Sequence, residues 1–332
     1  MVPSRVGWLL LAIGALGALH PPASSGQEPE GPVQAEGAPF LLLPVGAQGV
    51  AMGRAMTSTT GHESVFWNPA GLATVDRRRI LVYRGSTLAG DQTAFSVILF
   101  RPDMGAAAIS YQLLDIGDQE LRDRDGVLLG TISLRSHLGI VSFATTLFDR
   151  VTAGLNFKVL QFRQSCRGQC TDAGVSATSY AVDLGLQSEP LRGIPLRLGA
   201  MMAHVGPKLQ FINAEQADPL PSRIRFSGGY QVLDQITDDE RFELWVQLEV
   251  EDRMRSPGEP SLYVGSELVA GVDELVFVRA GYVFGELDQT DGAAIGLGLQ
   301  FDRFDLGIAR SLAAADIGQE SEPFYFTLGL AF

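Results

Sequence analysis

The sequence predicts an all-β chain: a transmembrane antiparallel β-barrel of about fourteen strands with a small N-terminal plug segment. Three observations carry this. From about Arg79 onward, segments of alternating polarity follow one another with turn residues between them. The connections between those segments sort by length, short ones alternating with long polar ones. The chain closes on a strand with Phe324, Phe326, Leu328, Leu330 and Phe332 on one face and Tyr325, Thr327, Gly329 and Ala331 on the other. In water, such a strand at an open sheet edge is an aggregation hazard. Against acyl chains it is a wall, and its apolar residues up to the terminal Phe332 are read as a barrel-assembly signal.

The N-terminus carries a different pattern. Arg5, the apolar run Trp8 to Leu19, then Pro21, Pro22 and the small residues up to Gly26 form a signal peptide over residues 1–26. The run is shorter than the roughly 20 residues of a membrane-spanning helix. Cysteine is absent from the cleavage zone, which argues against a lipid anchor. Residues 27–39, rich in Pro, Glu and Gly, are expected to be a disordered linker. Residues 40–78 are rich in small side chains and are expected to form the plug, with the barrel over 79–332.

Composition agrees with an exported barrel. The chain is 46% apolar with 38 glycines, only two lysines (Lys158 and Lys208) and positive mean hydropathy. No later segment reads as a membrane helix. Any spanning structure must then be a closed barrel, because unpaired backbone groups cost several kcal/mol each in hydrocarbon. The net charge of −13 argues against nucleic acid or anionic headgroups as partners. The expected surroundings are the bacterial outer membrane, its lipid and the barrel-assembly machinery, with both termini in the periplasm. No cofactor is expected.

Strands are expected at 79–88, 91–101, 104–114, 134–148, 151–164, 175–188, 194–205, 221–233, 241–252, 260–269, 273–284, 291–301, 303–311 and 322–332. The stretch 120–133 leaves room for a further hairpin arm. Phe242, Leu244, Val246, Leu248 and Val250 oppose Glu243, Trp245, Gln247, Glu249 and Glu251; most other strands alternate as clearly. Strands 91–101 and 104–114 are apolar on both faces and fit less well. Arg101-Pro-Asp103, Asp149-Arg150, Ala270-Gly-Val272 and Asp302 read as tight turns, and 115–133, 165–174, 206–220 and 312–321 as long loops; the first turn, Ala89-Gly90, breaks the pattern by being short on the long-loop side. A barrel with both termini on one side needs that parity; a soluble β-sandwich has no reason for it.

With apolar faces outward, the lumen carries Lys158, Asp183, Arg223, Arg225, Glu243, Glu249, Glu251 and Arg279. A tight hairpin between the eighth and ninth strands would set Arg225 opposite Glu249 and Arg223 opposite Glu251, neutralising the lumen. Cys166 and Cys170 are expected to form a small loop disulfide. Enzyme motifs are lacking: His62-Glu63 is followed by Ser-Val-Phe rather than by a second histidine at zinc-binding spacing. Gly265-Ser266 lacks a nucleophile-elbow context, and Gly296-Leu-Gly298 sits in an alternating strand. A lipid-hydrolysing barrel using His137 with a nearby serine is the one catalytic alternative.

One segment narrows the family. Gly46-Ala-Gln-Gly-Val-Ala-Met-Gly53, followed by Glu63-Ser-Val-Phe-Trp-Asn-Pro-Ala-Gly-Leu72, resembles the N-terminal region of PorV/PorQ proteins, within the wider FadL-like group of outer-membrane barrels. Asn68, Pro69, Ala70 and Gly71 match that family's Asn-Pro-Ala-Gly signature. Asn68 suits a cap or turn, Pro69 fixes the backbone, and Gly71 allows a positive φ. The resemblance implies fourteen strands and an N-terminal plug. For function it implies docking or shuttling of secreted cargo in type IX-like secretion. FadL-like relatives imply instead passive uptake of hydrophobic small molecules, and a structural barrel without ligand is the third reading.

Overall fold

The computed structural model describes residues 36–87, 89–148, 150–170, 174–191, 193–211, 215–237, 240–285, 291–312 and 323–332. Fourteen antiparallel strands form one closed barrel, each paired with its sequence neighbours, and β1 closes on β14. They are β1 (Arg79–Thr87), β2 (Gly90–Arg101), β3 (Gly105–Arg122), β4 (Leu128–Phe148), β5 (Val151–Gly168), β6 (Gly174–Ser188), β7 (Leu196–Val205), β8 (Arg223–Ile236), β9 (Arg241–Arg253), β10 (Ser261–Ala270), β11 (Leu275–Phe284), β12 (Gly292–Phe301), β13 (Phe304–Ser311) and β14 (Phe324–Ala331). The expected strands correspond one for one.

One pair is longer than its sequence suggests. The β3–β4 ladder continues to Arg122↔Leu128, so 115–133 is neither a loop nor an extra arm but the upper part of one hairpin. Asp118, Glu120 and Arg122 face water on both sides there, and without a buried face the alternation that marks a strand disappears. Cys166 and Cys170 are disulfide-bonded at the long-loop end of β5, with Cα atoms 6.3 Å apart.

The outer surface is an apolar belt, with Ile109 63% and Phe226 56% exposed. Only lipid accommodates a belt of that size on a closed sheet. Phe324, Leu328, Leu330 and Phe332 are exposed on this surface, while Tyr325, Thr327 and Ala331 are buried on the inner one. Among the described residues no helix is long and apolar enough to cross a membrane.

Residues 36–78 run through the interior as a series of short turns. These are a 3₁₀ turn at Pro39–Leu42, the five-residue helix α1 (Ala47–Ala51), and 3₁₀ turns at His62–Val65 and Pro69–Thr74. This inner segment explains why β2 and β3 are apolar on both faces. Ala94, Ile98, Ala106 and Ala108 point inward and pack on Val45, Val65, Leu72 and Val75.

The inner segment starts at the long-loop end. There the Gly37 amide donates to the Pro219 carbonyl at 2.8 Å, and Ala38 is buried. Residues 36–38, expected within the disordered linker, are therefore held against the barrel, and the exposed Pro39 opens the first 3₁₀ turn; the rest of the linker and the signal peptide lie outside the described residues. The connection after β7 folds inward too. Leu209 and Leu220 are fully buried and join Phe40, Leu41, Leu138, Ile140 and Leu160 in one cluster. The segment ends at the opposite, short-turn end, where β1 begins beside the end of β14.

Candidate functional site

The interior is where the chain concentrates its polar chemistry, and the Asn68–Gly71 turn organises it. Asn68 caps the Pro69–Thr74 turn by accepting from the Ala70 amide at 3.1 Å. Its amide nitrogen donates to the Thr57 carbonyl at 2.7 Å and, across to the wall, to the Leu186 carbonyl at 3.2 Å. Gly71 does not have the positive φ expected of it. It is needed for closeness instead: a Cβ there would stand 2.9 Å from the Thr59 carbonyl oxygen.

The lumen charges pair differently from the expected scheme. Arg225 faces Glu251, Ser227 faces Glu249, Arg223 faces Arg253, and Phe226 faces Val250. β8 runs to Ile236, three residues beyond its expected end, and a bulge lies between Gln231 and Leu233. Neither leaves a trace in the alternation, and together they offset the register by two residues. Arg225 Nε lies 2.5 Å from Glu251, and Arg223 makes a two-pronged pair with Glu36 at 2.8 and 2.7 Å; the expected Arg223–Glu251 pair survives only as a diagonal contact at 3.6 Å.

Glu249 serves the inner segment rather than an arginine. Its oxygens accept from the Thr57 amide at 2.7 Å and the Thr57 hydroxyl at 2.8 Å. Glu63 does the same from the other direction. It accepts from the Gln48 and Gly49 amides at 3.2 and 2.9 Å and from the Thr327 hydroxyl of β14 at 2.9 Å. The contacts to the wall join residues 192 and 264 positions apart, so nothing local in the sequence reveals them. Burial pushes the Glu63 carboxyl up, against its hydrogen bonds and nearby Arg279.

Towards the short-turn end the lumen opens into a vestibule of about 390 Å³. Its charges are matched: Arg79 with Asp305 at 2.6 Å, Arg279 with Glu267 at 2.6 Å and Arg241 with Glu243 at 2.7 Å. The Arg197 guanidinium stacks 4.4 Å from the Trp245 ring centre. His62 borders this space with a pKa held at about 4 by desolvation; Asp305 opposes that shift, and Arg79 and Arg279 reinforce it. The unfolded chain protonates this ring near pH 6.5, so the folded state is increasingly penalised as pH falls from there to about 4. Glu63, raised, titrates in the opposite sense, which makes a comparison with His62→Asn the informative one. The thermal midpoint of His62→Asn in detergent should gain on wild type between pH 7 and pH 4.5. A pH-independent difference would contradict the assignment.

Towards the long-loop end an apolar cluster adjoins buried charges. A cavity of about 30 Å³ lies between the Leu41–Leu43 stretch and the wall, bordered by Phe66, Trp67, Leu138 and Ile140. Lys158, His204 and Arg225 border it as well. Lys158 Nζ sits 2.6 Å from Asp183 and 3.2 Å from His204 Nδ1. Asp183 also accepts from the Asn156 side chain at 2.9 Å and from the His204 amide at 2.8 Å. His204 takes a left-handed φ of 58° where the β6–β7 ladder shifts register. His137 is elsewhere, its Nδ1 sharing a 2.7 Å hydrogen bond with the Tyr111 hydroxyl. Among the described residues no cluster of three or more His, Cys, Asp or Glu side chains is placed to hold a metal.

No family model matches the sequence, and the curated proteins contain no match. Solved structures do match in fold. The CymD monoaromatic hydrocarbon channel aligns with a TM-score of 0.56 at 10% identity, over 88% of this chain and 98% of that one. The Pseudomonas putida toluene transporter TodX aligns with a TM-score of 0.56 at 12% identity, over 86% and 98%. The Ralstonia pickettii toluene transporter TbuX gives 0.52 at 13% identity, over 86% and 98%. The chain has the FadL-like barrel fold. At these identities the likeness speaks of architecture, and the residues of the interior are this chain's own.

Proposed function

We propose that the chain is an outer-membrane channel for passive uptake of small hydrophobic molecules, held shut at rest by its inner segment. The observation that carries this reading is the compartment at the long-loop end, lined mainly by apolar side chains. Leu41–Leu43 and the inward-folded connection after β7 cover it, in a fold shared with hydrocarbon channels. The long-loop end then faces outward, the short turns and Phe332 face the periplasm, and the apolar face of β14 serves the assembly machinery. The fold likeness favours this reading over the secretion role that the Asn68–Gly71 resemblance implies.

One observation favours secretion or docking nonetheless. The compartment, at about 30 Å³, has room for a water-sized group, so an aromatic solute enters only if Leu41–Leu43 moves. Uptake decides between the two. In cells whose outer leaflet is lipopolysaccharide, the expressed protein should raise the entry rate of labelled alkylbenzenes several-fold over vector controls. An unchanged rate, together with loss of secreted proteins on deletion of the native gene, would favour the docking role.

A further inference from the structure

The covered compartment contains one feature that neither its apolar wall nor its ion pairs explain. Gln112, on β3, lines it and is only 2% exposed. Its strand neighbours on the inner face are Ala94 and Leu138, neither of which can hydrogen-bond through its side chain. Its amide nitrogen has no hydrogen-bond partner among the described residues. A buried donor without a partner is a rarity in folded proteins and asks for an acceptor. Gln92, one row nearer the long-loop end on β2, is also 2% exposed with an unpartnered amide nitrogen.

The charges nearby point to the kind of acceptor. Lys158 is matched by Asp183 at 2.6 Å and Arg225 by Glu251 at 2.5 Å. Each of these two cations bordering the compartment already has a carboxylate beside it, so an entering carboxylate would have to compete with that partner. A neutral oxygen meets no such competition.

We propose that the preferred solute is a neutral, mainly apolar molecule carrying one hydrogen-bond acceptor, such as an aromatic ketone or ester, and that Gln112 selects it. This rests on the channel reading above. The acceptor oxygen fits the space that exists, and the ring takes the space that Leu41–Leu43 vacates. That stretch is preceded by Ala38 in a left-handed conformation, φ 54°, uncommon for a non-glycine residue.

The test compares three solutes of similar size, ethylbenzene, acetophenone and phenylacetate, for entry into lipopolysaccharide-bearing cells with and without the full-length protein. Acetophenone should enter about five- to tenfold faster than ethylbenzene after the vector control is subtracted, the worth of one neutral hydrogen bond. Phenylacetate should show no gain. Gln112→Leu, similar in volume, should bring acetophenone down to the ethylbenzene rate, its folding checked by resistance to unfolding in unheated detergent. Ethylbenzene entry without an acetophenone preference, or a preference that survives Gln112→Leu, would overturn the role of Gln112 while leaving the channel standing. No gain for any solute would remove the channel reading itself. The wild-type ratio needs no variant, so a misfolded Gln112→Leu does not rescue the idea.

Discussion

Removal of residues 40–72 is expected to turn a closed barrel into a conducting one. The inner segment fills the lumen from the Pro39–Leu42 turn to the Pro69–Thr74 turn, and its contacts run to both sides of the ring: Ala47 to Thr327 on β14, Asn68 to Leu186 on β6. Fourteen strands closing without that filling leave a water-sized passage bordered by Lys158, Asp183, Arg225, Glu249 and Glu251. Single-channel recording in planar bilayers should show steady openings for the deleted form and little conductance for the full chain. Equal conductance in both would mean that the segment does not obstruct the lumen.

The second large effect is on stability. Asp183 is fully buried and holds Lys158, the His204 amide and the Asn156 side chain at once. Asp183→Ala leaves a buried ammonium and two donors without their acceptor, a loss of about 3–5 kcal/mol. Pairing it with Lys158→Met should recover much of that loss, because the uncompensated charge goes too. Denaturant midpoints in detergent for the single and double variants measure both numbers. Additive losses would show that Lys158 and Asp183 do not depend on each other.

The wall of this protein was legible because lipid on one side and a polar interior on the other impose a strict two-residue period on β5, β6, β8, β9, β12 and β14. Legibility failed where one of those two media was missing. Above the membrane belt, Asp118–Arg122 meet water on both faces, so the rise of the β3–β4 hairpin left no period to read. Around the inner segment, Ala94, Ile98 and Ala106 meet protein where most strands meet polar groups, and two strands looked ill-suited to a barrel. The Asn68–Gly71 turn could be recognised as a turn, but the closeness that Gly71 permits depends on Thr59 and Ser64 folding over it. Arg225 and Glu249 are each on the lumen face where alternation puts them. Their partners are decided by a bulge at Gln231 and by Thr57, which no strand pattern contains. Gln112 lies in a strand that reads as apolar on both faces, so nothing in the alternation marks it.

The Thr327 hydroxyl ties the two ends of the folding chain together, receiving the Ala47 amide and reaching Glu63. β14 is made after the other thirteen strands, yet it carries a contact for a stretch made before any of them. Laying that stretch in first and zipping the β1–β14 seam around it spares the chain from threading a free end through a finished ring. The seam thus holds a checkpoint: β14 finds all its partners only when the cylinder has closed on its own contents.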